Sequence, residues 1–236
     1  MIAKKEIPNL ITLGNLIAGC FGIVFVNEHN LTMAAYMIGL SLVLDFFDGF
    51  VARALKVESP LGVQLDSLAD LVSFGVLPSL ILLELLVNSC DNSCYYGIGG
   101  FYKPYIVFAL VAASAYRLAR FNITPSSQTF QGVPTPANAM LIGSLPLIIA
   151  FQPEYSQYVL QFNILIMYAV IMSYLLIGEF EIMSFKFKTW NWKENQKRYL
   201  FLLFSIILLS ILQFAAIPVI ILSFIGISFI KEKSEE

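Results

Sequence analysis

Apolar stretches long enough to cross a bilayer follow one another along this 236-residue chain and leave little room for anything else. A spanning helix needs about 20 mostly apolar residues, with a range of roughly 17–25. Eight such segments are read, at 9–27, 31–55, 61–87, 103–121, 136–152, 157–178, 198–213 and 216–230. The last two come from one apolar run, 199–230, interrupted by Gln213 and Pro218. At 1.5 Å per residue that run would be about 48 Å long, too much for one straight span, and Pro218 suits a tight hairpin. Composition agrees, since 13% charged residues is about half of what a soluble domain carries. The expectation is an all-α polytopic membrane protein of about eight transmembrane helices, a single integral membrane domain over 1–236.

Charge bias supports the count. With the N-terminus in the cytoplasm, Lys4, Lys5, Arg53, Lys56, Arg117, Arg120, Lys186, Lys188, Lys193, Lys197, Arg198, Lys231 and Lys233 fall inside, and Lys103 alone falls outside. Positive residues gather on the cytoplasmic side of membrane proteins, so both ends are expected there, in a plasma-membrane protein. A net charge of −2 gives no basic field to attract nucleic acid. The segment 179–197, with Trp190 and Trp192, reads as lying on anionic headgroups. Cys20 reads as a small hydrophobe behind an imitation of a lipoprotein signal, which Pro8, Asn9, Thr12 and Asn15 spoil. Cys90 and Cys94 are spaced to bridge locally if their loop faces an oxidising side.

Four aspartates inside spans two and three do not fit a purely structural role. One carboxylate at the centre of a membrane helix costs about 2.5–3.5 kcal/mol on insertion scales, and Asp is too short to reach an interface. Asp45, Asp48, Ala52 and Arg53 share one helical face, and Gly62, Asp66, Asp70 and Ser73 share another. A short turn, LKVESP, makes the two helices antiparallel neighbours, so the four carboxylates converge near one membrane face. That many hard oxygen donors call for Mg²⁺, Mn²⁺ or Ca²⁺, and four charges suit two ions better than one. A proton relay or a structural pairing is the competing reading. Gly49 and Ala52 keep the face small, while Arg53 and Lys56 stand at its edge. Metals plus cations beside an opening make a site for a phosphorylated ligand.

The series Asp45-x-x-Asp48-Gly49-x-x-Ala52-Arg53, eight residues, Gly62-x-x-x-Asp66-x-x-x-Asp70 resembles the signature of the CDP-alcohol phosphotransferases at every fixed position. Pro8-Asn9 with Thr12 and Asn15 is similar to the start of the first span in these enzymes, although ordinary interhelical hydrogen bonds explain that stripe equally well. The resemblance implies a six-helix core, here about 1–178, with a C-terminal hairpin at about 198–230 added, and commonly a homodimer. It implies that Asp45, Asp48, Asp66 and Asp70 bind two divalent ions, Mg²⁺ or Mn²⁺, with Ca²⁺ able to bind without supporting activity. Gly49, Ala52, Arg53, Lys56, Gly62, Asn9 and Thr12 would contact the CDP-lipid, whether its tails are diacylglycerol or archaeol. Asp70 would be the base for the acceptor hydroxyl. The sole histidine, His29, is placed on an outer loop and cannot serve.

Two further segments, Tyr116-Arg-Leu-Ala-Arg-Phe-Asn122 and Phe130-Gln-Gly-Val-Pro-Thr-Pro136, resemble parts of family members that use L-serine. Arg117 and Arg120 lie three apart on one helical face, where a guanidinium suits serine's carboxylate, an acceptor phosphate or simple positive-inside anchoring. Gln131 and Thr135 are candidate hydrogen-bonding partners of the amino acid. The expected activity is transfer of a phosphatidyl group from a CDP-lipid to serine. Glycerol 3-phosphate or inositol phosphate as acceptor is the alternative. An ion-coupled transporter would instead show internal repeats and midplane acids, and a prenyltransferase would carry its Asp motifs on well-separated helices.

Overall fold

The computed structural model describes residues 2–57, 59–90, 102–123, 130–182 and 192–232. Cys94, Lys186, Lys188, Trp190 and Lys233 therefore lie outside the described residues.

Helices α1 (Ile2–Asn27) and α2 (Leu31–Leu55) lie antiparallel along each other. The turn between them is closed by Asn30, whose side chain accepts from the Met33 N–H at 3.2 Å. Helix α2 stops at Lys56, which adopts a left-handed conformation (φ 54°) while its N–H closes onto the Ala52 and Arg53 carbonyls. Helix α3 (Pro60–Asp70) starts at once. Ser59 caps it by accepting from the Gly62 N–H at 3.0 Å, and Pro60 occupies a first-turn position that needs no N–H. One tight reversal thus brings the acidic face of α2 against that of α3.

The third span is not the uniform helix expected over 61–87. After Asp70 the chain widens into a π-helical turn, Leu71–Val76, before α4 (Leu77–Asn88). Pro78 supplies the reason, since it has no N–H and its ring would collide with the Phe74 carbonyl in a regular helix. The π turn presses Ser73 against α1, where its hydroxyl donates to the Asn15 carbonyl at 3.0 Å. Gly19 makes this approach possible, because a Cβ there would run into Ser73 Oγ and lie 3.1 Å from Ser73 Cα.

A 3-10 turn (Lys103–Val107) leads into α5 (Phe108–Ile123), and α6 (Thr135–Phe151) packs on α2, α4 and the π turn. Short helix α7 (Ser156–Val159) precedes α8 (Phe162–Ile177), so the sixth apolar helix begins five residues later than expected. Phe74, Leu77, Ile81, Leu82, Leu110, Ile142 and Met172 fill the centre of the bundle. Leu10, Phe21, Phe46, Phe50, Tyr174, Ile206 and Ile211 point outward, as side chains facing lipid do. Between α5 and α6, β1 (Phe130–Gln131) pairs antiparallel with β2 (Glu181–Ile182), a small clasp in an otherwise helical molecule. Gly132 (φ 68°) extends it, its N–H donating to the Phe180 carbonyl at 3.0 Å.

Helices α9 (Trp192–Leu212) and α10 (Ala216–Glu232) form the expected hairpin. The Phe201 and Phe224 ring centroids are 6.0 Å apart, whereas a straight helix would separate them by about 34 Å. Gln152 pins the turn, donating to the Leu212 carbonyl and accepting from the Ala215 N–H, both at 3.0 Å.

Among the described residues, five helical segments are long and apolar enough to cross a membrane: Glu6–Asn27, Leu31–Leu55, Pro60–Asn88, Lys103–Ile123 and Arg198–Ser228. A sixth is reached if Thr135–Phe151 and its continuation Pro153–Val159, bent by 114°, are taken together. The distance from eight arises from α8, only 16 residues long, and from the hairpin, which divides Arg198–Ser228 in two. At the opposite end of the bundle from the α2–α3 reversal, His29 Nδ1 lies 2.7 Å from Glu84 Oε1. Cys90 is disulfide-bonded, while Cys20 is free.

Candidate active site

The α2–α3 reversal places carboxylate oxygens of Asp45, Asp48 and Asp66 within 4.8 Å of one another. Two unit charges at that separation repel by about 3.5 kcal/mol at an effective dielectric of about 20. The Asp45 and Asp66 side chains are within hydrogen-bonding contact, which two carboxylates sustain only around a shared proton or a cation. Clustered hard oxygens of this kind fit a divalent metal ion.

Asp70 was expected in the same cluster. It stands one helical turn further along α3, 7% exposed, beside Asp45 and Asp66 but outside the group of three. Its Oδ1 accepts from Asn15 Nδ2 at 3.3 Å. Asp48, 5% exposed, accepts from Thr12 Oγ1 at 2.6 Å. Thr12 and Asn15 of the polar stripe of α1 are therefore spent on two of the four aspartates, while Asn9 donates to Glu6 Oε2 at 3.1 Å.

A cavity of about 540 Å³ opens beside the cluster, lined by Asn9, Thr12, Asp45, Asp48, Gly49, Ala52, Arg53, Gly62 and Asp66 together with Phe46 and Phe121. Small residues shape it. A Cβ on Gly62 would come 3.2 Å from Asn9 Oδ1, and one on Gly49 would come 3.2 Å from the Arg53 guanidinium. Lys56 is exposed at the end of α2 and does not line the cavity.

The two arginines of α5 have different surroundings. Arg120 donates to Glu179 Oε1 at 2.9 Å, an ion pair whose acid is 77% exposed. Arg117 is near enough to Asp70 for the two charges to interact, and its Nε is buried with no hydrogen-bond partner. Thr135 sits in the first turn of α6, fully buried, with its hydroxyl likewise unpartnered. The backbone of Gln131 is held in the clasp by pairing with Glu181, and its side chain lies outside the described residues.

A family model for CDP-alcohol phosphatidyltransferases matches residues 5–176, which run from α1 through α8. The chain belongs to the CDP-alcohol phosphatidyltransferase family. Its relatives include the CDP-diacylglycerol–serine O-phosphatidyltransferase of Helicobacter pylori strain 26695, 31% identical over 195 residues, which are 79% of this chain and 75% of that protein. The enzyme of the same name from Bacillus subtilis strain 168 is 37% identical over 143 residues, 58% of this chain and 72% of that one. That of Saccharomyces cerevisiae is 32% identical over 159 residues, 60% and 54% respectively.

The phosphotransferase thus has its acidic residues on three successive surfaces of one small bundle: α2, α3 and the entrance to the π turn. The sequence pattern missed two features of the transferase. One is the link between α5 and α3, where Asn122 Nδ2 donates to Ser67 Oγ at 2.9 Å. The other is Ser114, fully buried with an unpartnered hydroxyl. Its position three residues before Arg117, on the same helical face, is the signal that would have found it.

Proposed function

We propose that this transferase makes phosphatidylserine, moving the phosphatidyl group of CDP-diacylglycerol to the hydroxyl of L-serine and releasing CMP. The observation that carries the reading is the cluster of Asp45, Asp48 and Asp66 on a cavity edged by Arg53, with Asp70 beside it and Arg117, whose buried Nε has no partner, near Asp70. The serine acceptor is supported by the names of the relatives and by Arg117, a buried cation matched to one carboxylate.

Asp45, Asp48, Asp66 and Asp70 would hold two divalent ions, Mg²⁺ or Mn²⁺. Such ions neutralise charge on a diphosphate as it is cleaved. The chain's own groups do the rest. Asn9, Thr12, Gly49, Ala52 and Gly62 leave room for the cytidine diphosphate, and Arg53 pairs with its phosphates, with Lys56 outside the cavity at the end of α2. Asp70 accepts the proton of the serine hydroxyl. That oxygen forms a bond to the phosphorus bearing the diacylglycerol, the bond from this phosphorus to the CMP oxygen breaks, and CMP leaves with the electron pair. Arg117 and Thr135 orient the amino acid, whereas Arg120, tied to Glu179, steadies the clasp beside it.

In this reading residues 1–178 are the catalytic core, with the hairpin of about 198–230 an addition held by Gln152. The basic bias supports a cytoplasmic α2–α3 reversal and active site in a plasma-membrane protein. The disulfide at Cys90, at the other end of the bundle, suits an oxidising exterior.

The test is CMP release from CDP-diacylglycerol by purified protein given L-serine, glycerol 3-phosphate or an inositol phosphate. Release with serine alone is expected. Release only with a phosphorylated acceptor would keep the transfer chemistry and remove the serine assignment.

A further inference from the structure

Four buried side-chain polar atoms among the described residues have no hydrogen-bond partner: Asn15 Oδ1, Ser114 Oγ, Arg117 Nε and Thr135 Oγ1. Native structures leave few such atoms unpaired, because a buried unpaired donor or acceptor is costly, so each one needs an explanation. Two of the four, on Asn15 and Arg117, belong to residues that interact with Asp70, and Ser114 lies one helical turn before Arg117 on α5.

Asn15 is fully buried and held at both ends. Its Nδ2 donates to Asp70 Oδ1 at 3.3 Å, while its backbone carbonyl accepts the hydroxyls of Ser73 at 3.0 Å and Ser41 at 3.3 Å. The amide cannot turn without breaking the bond to Asp70, so Oδ1 is a fixed acceptor with nothing to accept. Arg117, on α5, is near enough to Asp70 for their charges to interact. Ser114, one turn along the same face of α5, lies against the π turn, where a Cβ on Gly75 would come 3.6 Å from its Oγ.

Ser114 is also unlike most serines of the bundle, and Ser41, Ser67 and Ser73, which bond to other helices instead, are at least partnered. Ser79, Ser144, Ser173, Ser205, Ser210 and Ser228 all donate to a carbonyl three or four residues back on their own helix. That is the default for a hydroxyl in an apolar helix. Ser114 makes no such bond and keeps its lone pairs free.

The free groups at and next to Asp70 are thus a cationic donor on α5, a neutral acceptor on α1 and a second one a helical turn away on α5. Their complement is a small molecule with one anionic and one cationic group. A phosphorylated polyol can offer Asn15 Oδ1 only a neutral hydroxyl, while bringing two or more phosphate charges to one guanidinium; an ammonium offers a charged donor, whose hydrogen bonds are the stronger. We infer that Asn15 and Ser114 select the acceptor by its ammonium group, which donates to Asn15 Oδ1 and Ser114 Oγ while Arg117 takes the carboxylate. The inference rests on serine being the acceptor and adds the residues that recognise it. Asn15 then acts through both ends of one amide, Nδ2 orienting Asp70 and Oδ1 reading the amine.

The experiment compares kcat/KM for L-serine with that for 3-hydroxypropionate, which keeps the hydroxyl and carboxylate but lacks the amino group. It is run on the full chain, on Ser114→Ala and on Asn15→Leu, with KM for CDP-diacylglycerol as the internal control. The unaltered enzyme is expected to favour serine by about 10- to 100-fold or more, the effect of leaving a buried acceptor unpaired. Both variants should shrink that ratio, Asn15→Leu to near one, with KM for CDP-diacylglycerol changed by no more than about twofold. Asn15→Leu should also lower kcat, because Asp70 loses its donor. A purely structural role would lower activity toward both acceptors and leave the ratio alone. An unchanged ratio in Ser114→Ala and Asn15→Leu overturns the inference while serine activity persists. No serine-dependent turnover in the unaltered protein overturns the parent reading instead. Should Asn15→Leu fail to fold, Ser114→Ala, a single-atom deletion inside a helix, decides.

Discussion

Thr12 Oγ1 donates a 2.6 Å hydrogen bond to Asp48 Oδ2, joining the first helix to a carboxylate of the second across 36 residues of sequence. Partners of this kind hold a ligating carboxylate in one orientation, and their removal typically costs about 10–100-fold in metal affinity or activity. Thr12→Val keeps the shape and deletes the donor. The divalent-ion concentration giving half-maximal CMP release should rise by about 10-fold or more. A titration of activity with Mn²⁺ in the two proteins checks it.

Arg117 and Arg120 are three residues apart and should respond differently. The Arg120–Glu179 pair is exposed, and such pairs contribute about 0–1 kcal/mol. Arg120→Ala is therefore expected to change KM for serine by no more than about fivefold. Arg117→Ala removes a buried charged donor worth about 1.5–3 kcal/mol, so KM should rise by about 10–100-fold. Steady-state kinetics with varied serine at saturating CDP-diacylglycerol separates the two.

Gly19 allows the π turn to reach α1. Gly19→Ala sets a methyl group against Ser73 Oγ and the Ser73 backbone. Overpacking of this sort costs about 1–3 kcal/mol. A lower melting temperature in detergent is the expected result, together with lost activity, because Ser73 and Asn15 share the contact that steadies Asp70.

Gln152 ties the turn of the C-terminal hairpin to α6 through two 3.0 Å hydrogen bonds. Gln152→Leu leaves the Leu212 carbonyl and the Ala215 N–H unpaired, at about 1–3 kcal/mol for each group that stays buried. Thermal stability should fall while KM for serine and for CDP-diacylglycerol stays at its unaltered value. A changed KM would mean that the hairpin bears on the active site.

Much of this was legible because membrane helices allow few alternatives. A carboxylate in an apolar span is expensive, so Asp45, Asp48 and Asp66 announce a site, and helical spacing places them on facing surfaces. The hairpin was legible for the same reason, since the run 199–230 is too long for one straight span. Helical spacing put Asp70 one turn beyond Asp66 and beside Asp45 and Asp66, but did not show which three carboxylates draw closest. The widening after Asp70 depends on Pro78, eight residues on, and a straight-helix projection carries Ser73 onto the same face as Asp70 without showing that it turns to Asn15. The arginines show a second limit. Spacing puts Arg117 and Arg120 on one face, but Glu179, which separates their fates, lies 59 residues from Arg120 in sequence. Ser114 went unnoticed because serine in a membrane helix ordinarily bonds its own backbone, and only the packing against the π turn shows that this one does not.

The most direct measurement follows CMP release from CDP-diacylglycerol and L-serine as divalent ions are removed by a chelator and then restored, in the unaltered enzyme and in Asp66→Asn. Asp66 belongs to the cluster of three and lines the cavity, and Asn keeps its size while removing its charge. Release should stop in chelator and return with Mg²⁺ or Mn²⁺, while Asp66→Asn, still folded, stays inactive at every ion concentration. Release that continues in chelator, or in Asp66→Asn at the unaltered rate, would contradict a metal-dependent transfer at the aspartate cluster.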